Sequence, residues 1–167
     1  KETSTILIHI STDYVFNGFK DEPYVEEDAT DPVTVYGRTM VEAEQQLLAS
    51  DPRPCLLRIS LPMGISHNGH AGAIDWIQSR FMKSKPATLY FDEVRTPTYT
   101  DCLNQLLHRV LSNDLEGLYH AGGPRRLSLY EIAQIVNRIG GYAPEHLIGC
   151  YRQEAGPMPP RAGNVSM

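Results

Sequence analysis

Apolar residues fall in short blocks along the chain, and the spacing inside the blocks alternates between two kinds. Thr5-Ile6-Leu7-Ile8-His9-Ile10 and Cys55-Leu56-Leu57-Arg58-Ile59-Ser60 are apolar at nearly every position, as expected of parallel strands covered on both faces. Residues 34–50 instead place Val35, Met40, Ala43, Leu47 and Leu48 at helical intervals, and Asp51-Pro52-Arg53-Pro54 ends that helix. A helix over 72–84 carries Ile74, Ile77, Phe81 and Met82. The pattern then predicts a strand at 88–91, a helix at 100–113, a strand at 117–121 and a helix at 128–139. In the last helix Ser128 and Glu131 have capping-box spacing, and Gly140-Gly141 closes the far end. A polar, proline-broken stretch over 17–32 separates the first strand from the first helix.

Strands alternating with helices argue for an α/β fold with a parallel sheet and ligands at the carboxyl ends of its strands. The first buried strand needs neighbours, and residues 161–167 are a polar stretch with no closing element, so both ends read as cut. No internal repeat or low-complexity tract is present.

At 167 residues and 41% hydrophobic content the chain supports one sizeable core rather than two. Fifteen basic residues against twenty acidic ones give a net charge of −5, with the basic residues scattered, which argues against a nucleic-acid partner. No apolar run approaches the ~20 residues that cross a bilayer, and residues 1–20 lack the order of a secretory signal. The expectation is a cytoplasmic protein without a membrane partner. Cys55, Cys102 and Cys150 are far apart and not in CxxC spacing, which reads as reduced core residues.

The densest chemical signal is Ser11-Thr12-Asp13-Tyr14-Val15-Phe16 at a strand's carboxyl end. Pro23-Tyr24-Val25-Glu26-Glu27-Asp28 and Tyr36-Gly37-Arg38-Thr39-Met40 follow it. In this order and spacing the three pieces resemble the dTDP-4-dehydrorhamnose reductase branch of the extended short-chain dehydrogenases. The resemblance runs on through Leu57-Arg58-Ile59-Ser60, through Arg95-Thr96-Pro97-Thr98, and through Gly117-Leu118-Tyr119-His120-Ala121-Gly122-Gly123-Pro124. It implies the later half of a Rossmann-like parallel sheet plus a small C-terminal substrate-binding lobe. Residues 1–60 and 96–122 would form the partial Rossmann-like part, and 61–95 with 123–167 the lobe. It also implies a nucleotide-linked 4-keto sugar as substrate and NADP or NAD as cofactor, although the family's GxxGxxG phosphate-binding turn does not occur in this chain. A homodimer stays open.

The implied roles are Tyr36 as proton donor, Thr12 orienting the carbonyl, Ser11 and Tyr36 toward the cofactor, and Thr12, Asp13, Leu61 and Arg95 toward the substrate. Leu61 stands where the family usually has tryptophan. Hydride addition to a ketone leaves an alkoxide that needs a proton and a steadying group. A tyrosine hydroxyl, with an ordinary pKa of about 10, serves well when a nearby cation favours phenolate. In the family a lysine four residues on supplies that cation and holds the nicotinamide ribose. Here Met40 occupies its position, and a thioether neither carries charge nor donates a hydrogen bond. A unit charge at ~4 Å is worth roughly 1–4 kcal/mol between water and an effective dielectric near 20, or about one to three factors of ten in rate. Reductase activity is therefore expected to be impaired. The competing expectation is a non-catalytic binding or regulatory protein on the same scaffold, of the kind resembled by the regulatory subunit of methionine adenosyltransferase.

Plainer readings stand beside these. Tyr36 and Met40 at i and i+4 suit a core-facing pair in an isolated helix, but the 24 residues from Thr12 to Tyr36 match the family spacing and favour an active-site position. Ser11 and Thr12 equally suit a turn that caps the strand, with Asp13 as a turn acceptor. The glycine-rich stretch 64–72 suits a phosphate at a helix start, a lid, or a plain connector. His67 and His70 lack a cysteine or carboxylate at ligand spacing, against zinc. His9 reads as a satisfied core residue, Arg125-Arg126 as a solvated turn and Glu26-Glu27-Asp28 as a solvated loop.

Overall fold

A computed structural model describes residues 7–50, 54–64, 66, 67 and 72–167. Three apolar segments assemble into one parallel sheet: β1 (Ile8–Thr12) pairs with β2 (Cys55–Ile59), and β2 pairs with β7 (Gly117–Ala121). Between them in the chain lie α1 (Val35–Ser50), β3 (Pro62–Met63), α2 (Ala73–Met82), β4 (Ala87–Tyr90), β5 (Val94–Arg95), β6 (Thr98–Tyr99) and α3 (Thr100–Asn113). After β7 come β8 (Leu127–Ser128), α4 (Leu129–Gly140) and β9 (Leu147–Cys150). The fold is α/β with a parallel sheet, as the alternating pattern predicts. Three two-stranded pairs accompany the sheet: β3 with β6 and β4 with β9, both parallel, and β5 with β8, antiparallel.

Side chains on β2 alternate faces, as the two-residue period of a strand requires. Cys55 and Leu57 are fully buried with Val110 against α3. Arg58 points the other way, to Glu44 of α1: its Nη2 lies 2.8 Å from Glu44 Oε2 and its Nε 3.1 Å from Oε1, with both side chains almost wholly buried. Ser11 of β1 donates to the same carboxylate at 2.5 Å. Ser11, Arg58 and His120 are register partners on the three strands, so one rung of the sheet carries the polar contacts that fasten α1.

Two apolar clusters flank this frame. Val15, Phe16, Tyr24, Ala162 and Val165 are buried together, with Met40 and Tyr14 packed against them. Met63, Ile77, Phe81, Ala87, Leu89, Ile132 and Ala133 form the second, between α2, α4 and β4. The α4 cap matches its spacing: Ser128 Oγ accepts from Glu131 N at 3.1 Å, Glu131 Oε2 accepts from Ser128 N at 2.7 Å, and Gly141 takes φ 63°.

Several expectations are corrected. The strand expected over 5–10 runs Ile8–Thr12, its first residues lie outside the described ones, and Ile10 is 42% exposed rather than covered. Among the described residues no strand pairs with the outer edge of β1. Residues 161–167 are not a loose polar stretch. Ala162 and Val165 are fully buried, and the backbone pairs with Gly18, Tyr24 and Val94. Cys102 is exposed on the first turn of α3, not in a core. His9 is not satisfied: its Nε2 is buried without a hydrogen-bond partner among the described residues, because its neighbours across the sheet are Leu56 and Leu118. Among the described residues no helix is long and apolar enough to cross a membrane. The strands β3, β5, β6 and β8, of two residues each, had no signal in the pattern, since two residues show no period, and β9 was not expected either.

Removing one partner of a buried ion pair strands the other charge and costs about 3–5 kcal/mol. Glu44→Gln is therefore expected to lower unfolding stability by about 3 kcal/mol or more, read from urea midpoints. A change under about 0.5 kcal/mol, the scale of an ordinary surface substitution, would show that the pair does not hold α1.

Candidate functional site

The site lies where the chain leaves β1. Thr12 ends the strand and caps a 3-10 turn over Asp13–Val15, its Oγ1 accepting from Tyr14 N at 3.2 Å and donating to Asp13 Oδ1 at 3.2 Å. Asp13 is 2% exposed. Ser60 Oγ donates to its Oδ2 at 2.7 Å, and Arg95 Nε lies 3.8 Å from the same oxygen. Burial pushes the Asp13 carboxyl above the usual range, with the Arg95 charge and the Ser60 and Thr12 hydrogen bonds pulling the other way. Arg95 itself is 2% exposed and gives Nη1 to the Val94 and Gly163 carbonyls at 2.8 and 2.6 Å. Its Nη2 reaches the Ala162 carbonyl and the Tyr14 hydroxyl, both at 3.3 Å, and its guanidinium carbon stands 5.1 Å from the Tyr14 ring centroid.

The first turn of α1 abuts this turn. Gly37 makes that approach workable, because a Cβ there would collide with the Tyr14 carbonyl oxygen and the Pro32 side chain. Tyr36, one residue earlier, is 56% exposed and meets Tyr14 edge to face at 6.1 Å between centroids. No hydrogen bond reaches its hydroxyl among the described residues. Met40, one turn on, packs against the Val15/Phe16 cluster. Beside Tyr14 opens a cleft of about 250 Å³ lined by Thr34, Tyr90, Met158, Pro159, Pro160 and Arg161. Arg161 grips buried Glu93 through Nε at 2.5 Å and Nη2 at 2.9 Å, which raises its already high pKa further, and it sits over the Tyr90 ring at 5.6 Å.

Residues 1–167 match the family described as the RmlD substrate binding domain. The chain belongs to this family. It is 28% identical over 98% of its length to the methionine adenosyltransferase 2 subunit beta of Danio rerio, covering 52% of that protein. It is 33% identical over 86% of its length to the dTDP-4-dehydrorhamnose reductase of Mycolicibacterium smegmatis, covering 44% of that one. Among solved structures, the dTDP-4-dehydrorhamnose reductase of Bacillus anthracis in complex with NADP superposes with a TM-score of 0.86 at 23% identity, over 96% of this chain and 56% of that one. The chain thus spans about half the length of the curated relatives it matches.

As an RmlD substrate binding domain, the chain gathers Thr12, Asp13, Arg95 and Tyr14 at one strand end, with Tyr36 beside them. Their availability differs. Ser11 is 2% exposed and spent on Glu44, and Thr12 is 7% exposed and spent on its turn. Arg95 and Asp13 are partners of each other and of the backbone rather than open to a diphosphate. Leu61 takes φ 35°, a left-handed conformation costly for a branched side chain, and packs against the lobe cluster. At the start of α2, Asp75 Oδ2 accepts from Gly72 N at 3.0 Å, which places a carboxylate where a phosphate was an option. Residues 65 and 68–71, His70 included, lie outside the described ones, and no metal-holding group of three His, Cys, Asp or Glu occurs among the described residues. Glu26 is no solvated bystander, since its Oε1 accepts from His120 N at 2.7 Å.

Residue patterns alone missed Tyr90 and Arg161 altogether and gave Tyr14, Gly37, Glu44 and Arg58 no role. One signal was present: Arg58 is a charge inside an apolar strand, and a buried charge requires a partner.

Half-buried His120 and its partner Glu26 are expected to make stability depend on pH. Desolvation holds the His120 ring below its ordinary value of about 6.5, helped by the Arg58 charge and opposed by Glu26. The His120 amide holds the Glu26 carboxyl below its ordinary range. A group with a lowered folded pKa contributes stability above its unfolded pKa and loses it as pH falls, so both groups act in one direction. Stability is expected to drop as pH goes from 7 to 5, and His120→Asn to remove most of that slope, measured as urea midpoint against pH. An unchanged slope in the variant would contradict the assignment.

Proposed function

We propose that the full-length protein is a nicotinamide-dependent reductase of a nucleotide-linked 4-keto sugar, running slowly because Met40 stands in the lysine position. Residues 1–60 and 96–122 are its Rossmann-like part, and 61–95 with 123–167 its substrate lobe. The observation that carries the reading is the open Tyr36 ring beside the Tyr14-lined cleft, at the carboxyl end of a parallel sheet, where such sheets bind ligands. Support for the substrate class comes from the named activity of the M. smegmatis relative, and for NADP from the complex named for the B. anthracis structure.

The residues fit a nicotinamide only in part. Tyr36 is free to meet one, whereas the Ser11 hydroxyl is committed to Glu44 and Met40 offers no donor. A bound nicotinamide would supply the hydride. This chain's own residues orient the sugar in the cleft, exclude water on the Tyr90 and proline side, and hold a phenolic proton at the strand end.

A second reading is a non-catalytic, nucleotide-binding regulatory protein. Met40 favours it, as does the match over 98% of the chain to a protein named as a methionine adenosyltransferase subunit.

Met40→Lys in the full-length protein separates the two. The reductase reading expects NADPH-dependent turnover of dTDP-4-dehydrorhamnose to rise by about tenfold or more, consistent with a gain of at least ~1.4 kcal/mol from a restored charge. Full wild-type turnover that lysine does not improve would remove the impairment. No turnover in either protein would leave the regulatory reading.

A further inference from the structure

Resting on the reductase reading, we infer that Tyr14, not Tyr36, is the proton donor in the wild-type protein. Tyr14 makes the cation contact that, among the described residues, Tyr36 lacks. Arg95 Nη2 lies 3.3 Å from the Tyr14 hydroxyl, and the guanidinium carbon stands 5.1 Å from that ring's centroid. Tyr36 has no cation contact among the described residues and no hydrogen bond to its hydroxyl. Because Arg95 donates to the Tyr14 oxygen, the phenolic proton is not used in that contact and is left to donate. The ring lines the 250 Å³ cleft beside Tyr90 and Arg161. Its backbone amide is held by Thr12 Oγ1 at 3.2 Å, which fixes the residue to the strand end.

Arg95 is well placed for this and for little else. It is 2% exposed, its other donors are taken by the Val94, Ala162 and Gly163 carbonyls, and its charge is balanced by Asp13 at 3.8 Å and Glu93 at 3.9 Å. Among the described residues the Tyr14 hydroxyl is its one hydrogen bond to a cleft-lining side chain. In the proposed step the ketone carbon gains a hydride, which a bound reduced nicotinamide would supply in being oxidised, and the C=O π pair passes to oxygen. That oxygen takes the proton from Tyr14 Oη. The Tyr14 oxygen keeps its hydrogen bond from Arg95 Nη2 and regains a proton from water.

The test uses the full-length protein with Tyr14→Phe and Tyr36→Phe, each made in the wild type and in Met40→Lys. In the wild type, Tyr14→Phe is expected to cut kcat about 100-fold, the low end of general-acid effects, and Tyr36→Phe to cut it by clearly less. In Met40→Lys the larger loss should move to Tyr36. A readout free of nicotinamide accompanies it: calorimetric binding of dTDP-rhamnose, the alcohol product, should weaken about tenfold in Tyr14→Phe, as a lost hydrogen bond implies, and by less in Tyr36→Phe. A wild-type enzyme that depends on Tyr36 while Tyr14→Phe turns over and binds normally overturns the inference and leaves the reductase reading intact. Absence of turnover and of product binding in the wild type overturns both.

Discussion

Glu44 and Arg58 meet between α1 and the sheet with both side chains almost wholly out of water, and the geometry of the site follows from that contact. A buried ion pair contributes little net stability, yet it tolerates few alternative arrangements, because any other leaves a charge unpaired. Ser11 adds a third partner from β1, and the Arg58 guanidinium also lies 5.1 Å from the Phe16 ring centroid. Helix α1 is thereby set in both height and rotation against the strand end. Gly37 completes the fit by letting the helix start press against the Tyr14 carbonyl. Tyr36 then faces outward and Met40 faces the Val15/Phe16 cluster, two residues four apart doing opposite things.

A second polar chain, Asp13–Arg95–Glu93–Arg161, runs from the strand end to the cleft mouth through alternating charges at 3.8, 3.9 and 2.5 Å. Its inner members are closed to solvent and its outer member, Arg161, is exposed enough to meet a ligand. The C-terminal segment through Ala162 and Val165 covers this chain and brings Met158, Pro159 and Pro160 to the cleft wall. One buried network therefore fixes the sheet to its first helix, and another fixes the cleft to the sheet.

Much of this was legible in the residues. Helices α1 to α4 fall within two residues of where the periodicity puts them, and the Ser128 capping box was readable from spacing alone. The strand-end motif marked the turn after β1 where Asp13, Tyr14 and Arg95 meet. What sequence could not give was which of its hydroxyls and charges stay free. Ser11, Thr12, Asp13 and Arg95 look like ligand-binding residues by type, and it takes the fold to show that each is engaged by a neighbour 33, 2, 47 or 68 positions away. The cleft was hidden for the same reason, since Tyr14, Tyr90 and Arg161 are far apart in the chain and no local pattern links them. The two-residue strands β3, β5, β6 and β8 were invisible because they owe their existence to pairing, not to propensity.

The central claim is that the sugar sits at the β1 strand end, between the Tyr14-lined cleft and the Tyr36 ring. A crystal structure of the full-length protein with dTDP-rhamnose would test it most directly. The sugar's 4-oxygen is predicted within hydrogen-bond distance, about 2.5–3.0 Å, of a tyrosine hydroxyl at position 14 or 36. A nucleotide sugar seated elsewhere, with both hydroxyls untouched, would contradict it.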